Sequence, residues 1–346
     1  MFLLNELILS SPLIIYTCYR IRKLTANKLL KNVFTFLLAL LGLAFPAAET
    51  LSHSSGNSWA RYPMIAGYYS LPLLMYLVLI VILSDLMIGI MQLLKIITKE
   101  TIRGPGFRIT RLCSVLMIPA VIVIFGAWNN NRLLIKEYAI EIPRKSSEIQ
   151  QLKIAFAADF HLGEMTGTHV LESFVTKVNA LNPDIVLIGG DVLEGDRRDE
   201  DLNRFETQFR RIQAKYGVYG VPGNHERYGG NRSDFFMKAG IRMLQDAVLK
   251  IDGAFYLAGR NDARSRNRKS IEELLQNTPD DLPVILLDHR PTDLGRVSQS
   301  HVNIQLSGHT HNGQLFPINY VTRRQYELSW GYRKKGQTHF FVTSGV

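Results

Sequence analysis

The chain has 346 residues, 47% of them hydrophobic and 20% charged, with a formal net charge of +10. That length allows two structural units, and the basic excess is unevenly placed: residues 1–131 hold 11 Lys and Arg against 4 Asp and Glu, the remainder 29 against 26. A nucleic-acid binder concentrates basic charge on its folded domain. Here the excess lies between apolar runs, where a membrane protein keeps it, so nucleic acid is not an expected partner.

Residues 1–131 read as an all-α transmembrane region with four segments, 2–19, 33–48, 71–94 and 112–128. The run Leu71 to Leu94 has the roughly twenty apolar residues that a bilayer core requires. Phe2 to Tyr19 is interrupted by Asn5 and Glu6, and its positive charges (Arg20, Arg22, Lys23) follow the apolar run instead of preceding it. A signal peptide has the opposite order, so the segment reads as a retained anchor. Cys18 and Cys113 both sit in apolar runs and form neither a metal-ligand spacing nor a disulfide framework.

Loop charge predicts orientation. Arg20, Arg22, Lys23, Lys28 and Lys31 separate the first two segments, and Lys95, Lys99, Arg103, Arg108 and Arg111 separate the last two, against a single Glu100. The loop between them, Glu49 to Ser70, carries Arg61. Short loops rich in Lys and Arg stay in the cytoplasm, which puts the C-terminal domain on the extracytoplasmic face. Asp85 falls inside the third segment, where an acid is costly and by default a functional candidate. The other apolar runs offer it no basic companion, so a proton relay or a transport path is not expected, and a structural contact is.

Residues 132–152 read as a linker, and from Lys153 the pattern changes to short apolar strands alternating with amphipathic helices. Lys153 to Ala158 reads as a strand. Val170, Leu171, Phe174, Val175 and Val178 then recur at helical spacing, and Asn182-Pro183 stops that helix before the strand Ile185 to Ile188. Leu202, Phe205, Phe209 and Ile212 mark the next helix, followed by the strand Val218 to Val221. Asp252-Gly253 between two apolar runs is a hairpin signal, and Ser270 with Glu273 resembles a capping box. Val284 to Leu287, Val302 to Leu306 and Phe340 to Thr343 complete the strands. This alternation predicts an α/β domain over 153–346.

Five loops that follow these strands carry ligand-type residues: Asp159 and His161 in Ala-Ala-Asp-Phe-His-Leu-Gly, Asp191 in Gly-Gly-Asp-Val-Leu-Glu-Gly, Asn224 and His225 in Gly-Asn-His-Glu, His289 in Leu-Asp-His-Arg-Pro, and His309 and His311 in Gly-His-Thr-His-Asn-Gly-Gln. Loops at strand C-terminal ends converge on one crevice in open α/β sheets. Each piece alone has an ordinary reading: a lone Asp-x-His is common, Gly-Asp is usually a turn, and His-Thr-His fits an exposed strand face. The set differs because all five pieces follow an apolar strand. Carboxylates, imidazoles and an amide without a thiolate suit Mn, Fe or Zn. Seven ligands exceed one tetrahedral ion and fit two divalent ions ~3.5–4 Å apart, an arrangement that clamps both oxygens of a phosphoryl displacement.

The set resembles the calcineurin-like metallophosphoesterase superfamily over about 153–346, and its ending is most similar to the branch of bacterial membrane-associated phosphohydrolases. The resemblance implies a four-layer α-β-β-α sandwich of two sheets. It implies that Asp159, His161 and His311 hold one metal, that Asn224, His289 and His309 hold the other, and that Asp191 bridges them. It makes His225 the catalytic residue, contacting a phosphate oxygen and protonating the leaving group, while a bridging hydroxide attacks phosphorus. The expected reaction is hydrolysis of a phosphomonoester, phosphodiester or pyrophosphate bond. The bilayer is an expected partner, and a lipid-linked phosphate fits a tethered domain. The alternative is a non-catalytic membrane sensor or scaffold that keeps the fold. Glu194 stands where the family often has Asp, and Asn312 where it often has Gly. Relatives usually continue through a Gly-rich segment beyond a strand such as Phe340 to Thr343, so either the chain is a fragment or the sheet lacks its usual closing piece.

Overall fold

The computed structural model describes every residue except 1, 55–60, 131, 164, 165, 167, 195–198 and 229–232. The chain divides into two compact units, Met1–Arg132 and Leu133–Val346.

The first unit is helical: α1 (Phe2–Arg22), α2 (Lys28–Ser54), α3 (Arg61–Leu93), the short α4 (Lys99–Arg103) and α5 (Pro105–Asn130). Among the described residues, three of them contain stretches long and apolar enough to cross a membrane, Lys28–Leu51, Tyr62–Leu93 and Pro105–Asn130. Ile21, Leu38, Leu77, Val81 and Val115 form the inner contacts of the unit. At Gly67 of α3 a Cβ would lie 2.4 Å from the Ala48 Cβ and 2.5 Å from the Ala44 carbonyl oxygen of α2. Small residues let these two backbones approach closely, as membrane helices do in place of a hydrophobic driving force.

The structure corrects the reading of Asp85 as an acid without a basic companion. Its carboxylate receives hydrogen bonds from Tyr16 and Arg20 of α1 and from Arg111 of α5, and Arg111 also donates to Ser84 at 2.9 Å. The helices outrun the apolar stretches, so α1 continues through Arg22 and α5 begins at Pro105. Residues assigned to loops by hydropathy therefore lie on helix and reach the acid.

The second unit contains, in chain order, β1 (Ile154–Ala157), α6 (Thr168–Leu181), β2 (Ile185–Ile188), α7 (Asp199–Phe209), β3 (Val218–Gly220), α8 (Asn224–Tyr228), α9 (Ser233–Lys238), β4 (Ile241–Met243), β5 (Ala247–Ile251), β6 (Phe255–Gly259), α10 (Ile271–Leu275), β7 (Val284–Leu287), α11 (Leu294–Val297), β8 (Ile304–Ser307), α12 (Ile318–Gln325), β9 (Gly331–Lys335) and β10 (Thr338–Val342). Strands β1-β2-β3-β4 form a parallel sheet. A second sheet has the order β5-β6-β7-β8-β10-β9 and is parallel at its centre, with an antiparallel pair at each end.

Alternation along the strands explains the layering, since successive side chains point to opposite faces. Val186 and Ile188 of β2 pack with Phe174, Val175, Val178, Phe205 and Phe209 of the helices, whereas Ile185 and Leu187 pack with Leu257, Ile285, Leu287, Ile304 and Leu306 of the other sheet. The far face of the second sheet is covered by Ile271, Leu274 and Leu275 of α10 and by Leu294 and Val297 of α11. The result is the expected sandwich of two sheets between helical layers.

Local expectations fare as their signals suggest. The hairpin turn has positive φ at Asp252 and Gly253, and the Ser270–Glu273 capping box is reciprocal. The helix expected to reach Ile212 ends at Phe209 and continues as turns. Residues 132–152, expected as a linker, are irregular but partly buried, with Leu133, Ile140, Ile142, Ile149 and Leu152 packed on the core clusters.

Candidate metal centre

The site is assembled where β1, β2, β3, β7 and β8 end. Each strand is followed at once by a ligand-type residue: Asp159, Asp191, Asn224, His289 and His309 all stand within four residues of a strand terminus. Asp159, His161, Asp191, His309 and His311 all have positive φ, between 43° and 73°. Non-glycine residues in that left-handed region carry strain of ~1–3 kcal/mol each, and such strain clusters at functional sites. Glycine makes the crowding possible at two points. A Cβ on Gly223 would sit 2.1 Å from Asp191 Oδ1, and one on Gly308 2.4 Å from Asp159 Oδ2.

The structure brings seven of the eight expected residues into three overlapping groups. Asp159, His161 and His311 offer ligand atoms within 4.8 Å of one another, as do Asp191, His289 and His309, and as do His161, Asp191 and His225. Asn224, the eighth, precedes His225 in the chain, and its Oδ1 accepts from Arg290 at 3.3 Å. The Nε2 atoms of His161 and His311 face each other at 3.2 Å. His289 Nε2 lies 3.1 Å from Asp191 Oδ2, yet this fully buried nitrogen has no hydrogen bond of acceptable geometry. Its other nitrogen donates to the Gly189 carbonyl at 2.7 Å, which turns Nε2 into the site. A ligating histidine is oriented in this way by a bond from its second nitrogen.

Burial and mutual charge set the electrostatics of these residues. Burial pushes the Asp159 carboxyl above its usual range, against the opposing pull of His289 and His311. Burial, together with the charges of His289 and Arg290, pushes His309 down to about 3, and burial also lowers His311. Those imidazoles are therefore neutral and able to ligate. Burial disfavours charge on Asp191 and on His289 alike, but the pair overcomes it: Asp191 is held below the usual carboxylate range and His289 rises to about 9. The donor set of carboxylates, imidazoles and an amide thus fits divalent metal ions.

Three residues that carry the site were not among the sequence candidates. Glu194 accepts from the His161 ring with one oxygen and lies 3.1 Å from His225 Nδ1 with the other. Burial opposes its charge, but both histidines hold it at about 2. Glu226 receives backbone N–H bonds from Asp191 at 2.9 Å, Val192 at 2.6 Å and Gly223 at 2.7 Å; it laces the loop after β2 to the loop after β3. Arg290 is held by Asp262 at 3.0 Å while its terminal nitrogen meets Asn224. The Gly-Asn-His-Glu motif contained the only sequence signal for Glu226, and Leu-Asp-His-Arg-Pro the only one for Arg290.

Comparison with known proteins gives this geometry its context. The calcineurin-like phosphoesterase family matches residues 152–313, a span that contains all eight expected site residues. A metallophosphoesterase of Helicobacter pylori is 32% identical over 220 residues, covering 61% of this chain and 58% of its own length. A transmembrane protein with a metallophosphoesterase domain from Danio rerio is 29% identical over 268 residues, 72% of this chain and 60% of that protein. A metallophosphoesterase of Aquifex aeolicus is 30% identical over 235 residues, 65% of this chain and 88% of that protein. The chain therefore spans under two thirds of the Helicobacter and Danio relatives and most of the Aquifex one. With the strand-end ligand loops lying inside the matched span, this chain belongs to the calcineurin-like metallophosphoesterase family.

Proposed function

We propose that the protein is a membrane-anchored, metal-dependent hydrolase of phosphoric ester or pyrophosphate bonds. The observation that carries this reading is the convergence of Asp159, His161, Asp191, His225, His289, His309 and His311 in three overlapping groups whose ligand atoms lie within 4.8 Å of one another. In this reading Asp159, His161 and His311 would hold one divalent ion, Asn224, His289 and His309 would hold the second, and Asp191 would serve both. Bound there, two Mn, Fe or Zn ions would activate water and offset the charge of the phosphoryl group.

The remaining residues handle protons and position. His225 turns Nδ1 to Glu194, so Nε2 is the atom that delivers a proton to the leaving oxygen. The hydrogen bond that His225 donates to Glu194 raises the pKa of His225 over the opposing effect of burial, and the acid form is favoured. A general acid needs its pKa near working pH. Glu194 orients both His161 and His225, Glu226 holds the Asp191 loop against the Asn224 loop, and Arg290 grips a non-bridging phosphoryl oxygen beside the second metal. A lipid-linked phosphate is the substrate class that best suits a domain tethered at a bilayer.

In this reading α1 crosses the bilayer together with α2, α3 and α5, because Arg20 shares Asp85 with Arg111 of α5. The two basic loops then lie in the cytoplasm and the second unit outside it. Each juxtamembrane positive charge near an anionic leaflet is worth ~1 kcal/mol, so the bias of the two loops over Arg61 is substantial. Two experiments test the proposal. Purified protein loaded with Mn²⁺ should hydrolyse an aryl phosphate or aryl phosphodiester, whereas an inert scaffold would hydrolyse neither. An alkaline phosphatase fusion after Val346 should be active and a green fluorescent protein fusion dark; the reverse pattern overturns the orientation.

A further inference from the structure

The residues after the His309–His311 loop run Gln314-Leu315-Phe316-Pro317-Ile318-Asn319-Tyr320-Val321 and enter α12. They expose an apolar surface that the fold leaves uncovered: Phe316 is 60% exposed, Ile318 41%, Tyr320 61% and Val321 64%. The Phe316 and Tyr320 rings meet edge to face at 5.8 Å, so the surface is continuous across the start of the helix. Scattered surface hydrophobics need no explanation, but a contiguous patch rimmed by polar groups marks an interaction site. Here the rim is basic, with exposed Arg323 and Arg324 in the last turn of α12.

This surface is built onto the ligand loop at both ends. Gly313 and Gln314 donate backbone bonds to the carbonyls of Thr310 and His311, each at 2.8 Å. Gly313 has φ +77°, and a Cβ on it would lie 2.6 Å from the Asn319 backbone; only glycine lets the segment fold back this tightly. At the other end the Tyr326 ring lies 6.2 Å from the ring of His309. These contacts fix both ends of the segment to the ligand loop.

We propose that residues 315–321 form a lip that inserts into the surface of a lipid bilayer. Phe316, Ile318, Tyr320 and Val321 enter the headgroup–acyl boundary, Arg323 and Arg324 meet anionic headgroups, and the His309–His311 loop is brought to the lipid surface. Aromatic and aliphatic side chains beside arginines match the chemistry of shallow interfacial helices. Four side chains fall far short of the roughly 20–30 residues a side in a stable protein interface, which disfavours a second copy or a soluble protein as the cover. The same chain supplies the bilayer, since its other unit has three stretches long and apolar enough to cross one, and tethering raises the effective concentration of that surface. This insertion goes beyond the hydrolase reading and stands whether or not hydrolysis is found.

The test uses the full chain with Cys18→Ser and Cys113→Ser, in phosphatidylcholine–phosphatidylglycerol vesicles. Single spin labels are placed through Phe316→Cys, Tyr320→Cys and Val321→Cys, with Glu272→Cys at an exposed position of α10 as reference. All four positions are on the surface, and a circular dichroism spectrum matching that of the unlabelled protein selects folded samples. The three lip labels should be more accessible to dissolved oxygen than to a water-soluble nickel chelate, and the reference label the reverse. Lip labels open to the chelate would overturn the insertion. Labels shielded from both reagents would overturn it too, in favour of a protein cover. Adding Arg323→Glu and Arg324→Glu should make the Tyr320→Cys label shallower in these vesicles but not in pure phosphatidylcholine; the same depth in both would remove the headgroup contact from the proposal.

Discussion

Asp85 in the helical unit and Asp191 in the sheet unit are both acids flanked by apolar sequence, yet their surroundings are opposite in kind. Asp85 stands on regular helix and takes hydrogen bonds from Tyr16, Arg20 and Arg111, so its charge is answered by the protein itself. Asp191 has a left-handed backbone, accepts from the His225 amide at 2.8 Å and faces a His289 nitrogen that makes no proper bond. The comparison separates the two acids more sharply than burial does: Asp85 is answered by two arginines and a tyrosine on regular helix, and Asp191 by histidines and a backbone amide on left-handed backbone.

The largest test of that contrast is Asp191→Ala. Because Asp191 belongs to two of the three groups, its loss should remove both ions, taking metal content from about two per chain to near zero. Turnover should fall to background. One ion still tightly held in the variant, measured by elemental mass spectrometry, would break the assignment of Asp191 as the shared ligand.

His225→Ala should be severe in a different way. Turnover should drop roughly 10²–10⁴-fold, the usual worth of a positioned acid, while metal content stays near that of the parent. Depletion of metal along with activity would place His225 among the ligands, a possibility that its approach to His161 and Asp191 keeps in view.

These residues were legible in the sequence for a physical reason. A strand buried on both faces reads as an apolar run, and the first polar residue after it lies at the rim of the crevice, so Asp159, Asp191, Asn224, His289 and His309 announce themselves by position. Glu226 and Arg290 also sit in those loops, but their roles depend on partners far along the chain. Glu226 binds the loop after β2, and Arg290 depends on Asp262 from the loop after β6. No periodicity encodes such pairings. The partners of Asp85 were hidden by the converse effect: hydropathy ends a segment at its first charges, whereas the helices continue past them. Strand β9 (Gly-Tyr-Arg-Lys-Lys) was missed because its exposed edge position selects charge instead of an apolar run.

Arg290→Ala extends the contrast to a residue outside the ligand set. A hydrogen bond to a charged group is worth about 1.5–3 kcal/mol, so kcat/KM for an aryl phosphate should fall roughly 10–100-fold, with about 1.4 kcal/mol per factor of ten. The metals should remain. Arg290→Lys should recover little, because Asp262 and Asn224 hold two different nitrogens of one planar group. Full recovery by lysine would reduce Arg290 to a source of local charge.

Asp85→Asn should have the smallest effect on hydrolysis and is the sharpest test of the other side of the comparison. Removing one partner of a fully buried pair costs ~3–5 kcal/mol because the remaining charge is stranded. Arg20 and Asp85 keep some exposure, and asparagine can still accept hydrogen bonds, so a loss of about 1–3 kcal/mol is expected within that scheme. The thermal midpoint in detergent should fall, and Arg20→Gln in the same background should add little, since the two changes remove one shared interaction. Metal content and turnover per folded molecule should match the parent. An unchanged midpoint would mean that the cluster contributes nothing to holding α1, α3 and α5 together. A loss of turnover in folded, metal-loaded protein would mean that Asp85 is not merely structural, and the distinction between the two acids would no longer divide the two units.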